Sequence, residues 1–150
     1  EIELNQEKAP ISVKNFLNYV KNNHYDGTVF HRVISNFMIQ GGGFTPDGEQ
    51  KPVDNPIKLE SNNGLKNDEG TIAMARTNIP DSATSQFFIN VKGNDPLNYA
   101  PGNDGYAVFG KVISGMEVVN KIKVVNTGIK FGMQDWPTED VVITNVYVKS

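Results

Sequence analysis

The chain has 150 residues, 38% hydrophobic and 21% charged, which suffices for one domain with a real core. Its net charge of −3 gives no footprint for nucleic acid or an anionic membrane, and no apolar run reaches the ~18 residues of a bilayer span. With no cysteine there are no disulfides, thiolate metal sites or cysteine nucleophiles, and His24 and His31 lack carboxylates at ligand spacing, so no metal is expected.

Ile2-Glu3-Leu4 alternates like a short strand. Pro10 then opens a helical pattern, with Val13, Phe16, Leu17 and Val20 forming one apolar stripe that should end near Asn22-Asn23. Residues 29–33 and 37–40 read as strands around a Ser35-Asn36 turn, before Gly41-Gly42-Gly43 breaks the pattern. Residues 45–70, rich in Pro, Asn, Asp and Gly, read as mostly loop. Short strands follow at 71–75, 86–91 and 107–112, then a second helix at 115–122 and a final alternating strand at 141–148. Strands this short, with two helices and no repeat or linker, predict a single domain over 1–150, an antiparallel barrel or sandwich.

Arg32 stands out as one of only two arginines, the other being Arg76, amid Phe30, Val33, Ile34, Phe37, Met38 and Ile39. Its permanent charge rules out proton transfer, but its fork of donors is strong where water is excluded. An edge arginine reaching solvent, or a structural ion pair, accounts for the same residue. In 86–89, Gln86 and Phe88 share one strand face and Phe87 and Ile89 the other, so one face mixes an amide with an aromatic. The triple glycine lacks the Lys-Ser/Thr of a phosphate loop and reads as a turn or a close backbone approach. A hydrolase built on Ser85, His31 and Asp81 lacks the strand-to-helix elbow such a serine needs.

FHRVISNFMIQGGGF (30–44), GTIAMAR (70–76), SQFFIN (85–90) and YAVFGKVISGMEVV (106–119) resemble, in order and spacing, the blocks of the cyclophilin family of peptidyl-prolyl cis-trans isomerases. The likeness spans the whole chain and is similar to the bacterial members. It implies a mainly β fold, a closed eight-stranded antiparallel barrel capped by the two helices. By position it implies Arg32 as the catalytic arginine with Gln40 near it. Phe37, Met38, Phe88, Leu97 and Tyr106 would wall the proline pocket, and Gln86, Ala75 and Arg76 the groove for the residues before proline. Pro96 stands where tight cyclosporin binders carry tryptophan, so only weak cyclosporin binding is expected. Trp136, the only tryptophan, lies elsewhere. Family chains usually have several more residues before the position of Glu1, so a few residues of the first strand are expected to be missing.

The resemblance implies a cofactor-free isomerase assisting protein folding, its partners proline-containing peptides and unfolded or flexible segments, with no nucleic acid or membrane. A monomer is expected, in the cytoplasm, or in the periplasm if a leader was removed. Two other readings stay open: a module that only binds proline segments, and the hydrolase.

Overall fold

The computed structural model describes residues 1–150 throughout. Its strands are β1 (Ile2–Leu4), β2 (Phe30–Ile34), β3 (Met38–Gly41), β4 (Thr71–Met74), β5 (Phe87–Asn90), β6 (Val108–Val112), β7 (Thr127–Lys130) and β8 (Met133–Pro137). Two α-helices, α1 (Pro10–Lys21) and α2 (Met116–Ile122), and a 3₁₀ turn at Asp95–Leu97 complete a mainly β chain. No helix is long and apolar enough to cross a membrane.

Helix α1 forms where the apolar stripe predicts it. Pro10 opens it with no side-chain cap from Ala9, and the orphan N–H groups find a carboxylate from a distant loop instead. Glu60 accepts from Ser12 N at 2.7 Å and from Ile11 N at 3.2 Å, a negative charge at the positive end of the helix. At the other end Asn23 takes a left-handed φ of 57°, which stops the helix. The inner face packs Val13, Phe16, Tyr19 and Val20 onto the sheet.

Six strands form one antiparallel sheet in the order β1-β6-β4-β5-β3-β2. Side chains along its central strands alternate between two clusters. Ile39, Ile72, Met74, Phe87, Ile89 and Phe109 join the large core with α1, while Met38, Ala73, Phe88 and Val108 form a smaller cluster on the opposite face. This is why β5 is buried at every residue and its sequence shows no polar alternation.

The ladder ends at β1 and β2, so strand pairing alone does not close the eight-stranded ring expected above. The expected strand at 141–148 makes a single bridge, Val29 to Val142. Its first residues do meet backbone: Phe30 N donates to Val141 O at 3.0 Å and Ile143 N to Thr28 O at 2.8 Å. Farther on, Val146 N turns to the Asp26 carboxylate and Lys149 to Glu1, both at 3.0 Å. Alternating Val and Ile supply a strand-like face, but a ladder also needs an adjacent backbone, and none pairs with the second half.

The hairpin of β7 and β8 is absent from the sequence reading. Its turn is Phe131-Gly132, both at positive φ, 51° and 75°. Asn-Gly or Asp-Gly marks such turns in a sequence, and a phenylalanine in the first position hides one.

Candidate active site

Cross-strand register sets Arg32 opposite Gln40, Gln40 opposite Phe88, Phe88 opposite Ala73 and Ala73 opposite Val108. Opposed residues share a face. One row running over β2, β3, β5, β4 and β6 therefore carries a charged donor, an amide and then an apolar floor. Arg32 is exposed between buried His31 and Val33, so its apolar sequence neighbours do not enclose it. Alternation explains the position that looked anomalous in the linear sequence.

The row opens into a cavity of about 140 Å³ lined by Phe37, Met38, Ala75, Phe88, Leu97 and Tyr106 together with Arg32, Gln40 and Arg76. That volume is close to the roughly 150 Å³ in which a protein cavity holds one benzene ring, so a single small ring fits. Phe88 and Tyr106 pack edge to face at 5.7 Å between centroids, a T-shaped wall. A larger cleft of about 360 Å³ lies beside β1 and β6, with the charged residues Glu3, Lys66, Asp68 and Lys111 among its lining and none of the residues singled out from the sequence.

Of the ten residues singled out from the sequence, only Gln86 lies outside the lining, and it stands directly behind it. Gln40 Nε2 donates to Gln86 Oε1 at 2.9 Å, which turns Gln40 Oε1 toward Arg32, whose Nη1 donates to it at 3.5 Å. That single long contact leaves most Arg32 donors open to the cavity. The triple glycine supports this arrangement. Gly42 has φ 90° and a Cβ there would meet the Tyr25 and Phe87 rings at under 3 Å, while one on Gly43 would strike the Gln86 side chain at 2.6 Å.

Arg76 lines the cavity with its donors already engaged. Its Nε and Nη2 donate to Gly105 O at 3.1 and 2.6 Å, its Nη1 to Thr77 O at 2.8 Å, and its guanidinium stacks 4.4 Å over the Tyr106 ring. It braces the wall more than it reaches for a ligand. Two backbone N–H groups of the same stretch are also committed, Ala75 to Gln86 O at 3.0 Å and Thr77 to Ser82 Oγ at 2.9 Å.

No catalytic triad assembles. Ser85 Oγ is buried and donates to Gly42 O at 3.0 Å, Asp81 accepts from Leu59 N at 2.9 Å, and His31 bonds to neither. The His31 ring packs against Phe44 and Trp136 with Nδ1 unpartnered, and burial, then the Arg32 charge, lowers its pKa to about 4. The unfolded chain, with an ordinary histidine near 6.5, thus takes up that proton first. Stability held above pH 6.5 is lost as pH falls toward 4, by about 2 kcal/mol between pH 7 and 5. Melts at both pH values are expected to show a drop that His31→Phe largely removes; an equal drop in the variant would assign it to other groups.

The family model for cyclophilin type peptidyl-prolyl cis-trans isomerase/CLD matches residues 1–148. The chain belongs to this family. It is a peptidyl-prolyl cis-trans isomerase, and members of the family bind proline-containing peptides. Peptidyl-prolyl cis-trans isomerase cyp18 of Streptomyces antibioticus is 58% identical over 150 residues, covering 98% of this chain and 90% of the relative. Peptidyl-prolyl cis-trans isomerase B of Escherichia coli strain K12 is 57% identical over 145 residues, 95% of this chain and 88% of the relative. A cyclophilin type isomerase of Cryptosporidium parvum, crystallised in the presence of the dipeptide Ala-Pro, matches with a TM-score of 0.85 at 30% identity, covering 99% and 91% of the two chains.

Behind this cavity lies a relay of asparagines that the sequence did not reveal. Asn67, Asn90 and Asn94 are at most 3% exposed. Asn94 Nδ2 donates to Phe37 O at 2.9 Å, and Asn67 Nδ2 to Leu97 O at 3.1 Å and Tyr106 O at 3.4 Å. Asn90 joins them, donating to Asn67 Oδ1 at 3.0 Å and accepting from Asn94 Nδ2 at 2.7 Å. Three wall residues, one in the β2–β3 turn and two in the long β5–β6 connection, are thus tied by their carbonyls to one buried network.

Proposed function

We propose that Arg32 is the catalytic group and that the cavity beside it grips the proline ring of an X-Pro segment. Rotation about that bond is opposed by amide resonance, a barrier of about 20 kcal/mol, and no covalent bond breaks. In the twisted transition state the prolyl nitrogen regains a lone pair, which a fixed, charged donor stabilises more than it does either planar isomer. Gln40 and Gln86 act as positioning residues for that donor. Phe37, Met38, Phe88, Leu97 and Tyr106 hold the ring, and Ala75 borders it. The observation that carries this reading is the register row that sets an exposed, mostly unbonded guanidinium beside an apolar cavity of single-ring size.

The natural partners are flexible or unfolded segments that can present a proline, which makes the enzyme an assistant of protein folding. Pro96, exposed and without a side-chain donor, supports only weak cyclosporin binding. Residues 141–149, bonded to the β2 side at one end and to Glu1 at the other, are inferred to complete the ring of the barrel.

Titrating ¹⁵N-labelled protein with an Ala-Pro peptide tests the placement. Amide shifts are expected at 37–40, 75–76, 88, 97 and 106. Shifts centred instead on the polar cleft beside Glu3 and Lys111 would contradict it.

A further inference from the structure

Both arginines of the chain, 44 positions apart in sequence, line this one cavity, and none of its nine lining residues is acidic. Neither arginine forms an ion pair; the two ion pairs present use Lys130 and Lys149. The bonds made by Arg76 go to the neutral carbonyls of Gly105 and Thr77 and its face to Tyr106, so its charge is anchored without being neutralised. Arg32 likewise meets only the neutral amide of Gln40. A chain of net charge −3 therefore concentrates two uncompensated positive charges at its ring-sized cavity.

Resting on the proline-pocket reading above, we infer that the paired arginines make this isomerase prefer proline segments with an acidic side chain next to the proline over those with a basic one. Arg32 stays free to engage the bond being twisted. Arg76, held rigid against Tyr106, supplies a fixed positive field on the wall and acts as a specificity-determining residue. A carboxylate beside the proline is attracted and an ammonium repelled, over distances within which salt screening is incomplete.

The test compares matched peptides with Glu or Lys immediately before the proline, and a second pair with Glu or Lys immediately after it. Turnover is read by exchange NMR and affinity by titration. At low salt the Glu member is expected to have about a 5- to 10-fold higher kcat/KM or affinity than its Lys partner in at least one pair, shrinking toward parity in molar salt. Arg76→Gln, which keeps a donor but removes the charge, should lower that ratio severalfold, while Arg76→Lys should retain most of it. Equal kcat/KM and affinity within both pairs, a ratio indifferent to salt, or a ratio unchanged in Arg76→Gln would overturn the inference. An uncharged Ala-Ala-Pro peptide separates the two failures. If it is neither turned over nor bound in the cavity, the pocket reading itself fails; if it is turned over while the charged pairs stay level, only the charge preference does.

Discussion

Arg32→Ala is expected to lower kcat/KM for a proline peptide by about 10² to 10³, a loss of roughly 3–4 kcal/mol of transition-state stabilisation. KM should move by no more than about twofold, because on the proposed reading Phe88, Leu97, Tyr106 and their neighbours hold the ring and the guanidinium does not. Arg32 is exposed and makes one side-chain bond, of 3.5 Å, so the variant should melt within about 0.5 kcal/mol of the wild type. Arg32→Lys should recover little, since an ammonium keeps the charge but loses the planar fork that Gln40 orients. Steady-state kinetics on all three proteins check this. A loss of affinity matching the loss of rate would instead describe a proline-binding module in which isomerisation is incidental.

The second large effect falls on a residue with no contact to the cavity. Asn90 is fully buried and makes three side-chain bonds, to Asn67 at 3.0 Å, Thr71 at 2.9 Å and Asn94 at 2.7 Å. Truncation to alanine strands Asn67 Oδ1 and weakens the hold of Asn94, at a cost of about 3–4 kcal/mol and a Tm lowered by roughly 6–16 °C in a domain this size. Because the relay anchors Phe37, Leu97 and Tyr106, KM should rise severalfold in protein that is still folded, while kcat changes less. Exposed Asn62, changed to alanine, serves as the control and should shift stability by less than about 0.5 kcal/mol. Melting curves and kinetics on the folded fraction decide it. An Asn90→Ala protein with wild-type KM would show that the walls hold themselves.

These two residues mark the limit of what the sequence makes legible. Helix α1 could be read from its apolar stripe, and strands β2 to β6 as short apolar runs set between loop residues. Arg32 could be noticed because it interrupts an apolar run, but its purpose depends on register, which pairs it with Gln40 on the next strand and, through Gln40, with Phe88 on a strand far along the chain. The family resemblance supplied the pocket residues, Leu97 from between the blocks and the rest from within them, and composition alone left them open. Asn67 and Asn94 were invisible because asparagine in a loop ordinarily signals a turn, and Asn90 because it sits at the end of an apolar strand; only tertiary placement makes them a buried cross-link. Arg76 was placed beside the cavity by resemblance, and no local pattern announces that its donors meet Gly105 O. The segment 141–148 misled for the converse reason: its alternation is strand-like, whereas its pairing depends on neighbours that a periodicity cannot count.

Exchange NMR on a short Ala-Pro peptide, with catalytic amounts of protein, tests the role of Arg32 most directly. Wild type is expected to broaden and exchange the cis and trans signals, and Arg32→Ala to leave them near the uncatalysed rate while still shifting on binding. Undiminished exchange with Arg32→Ala would place the catalytic donor elsewhere in the pocket and contradict the mechanism.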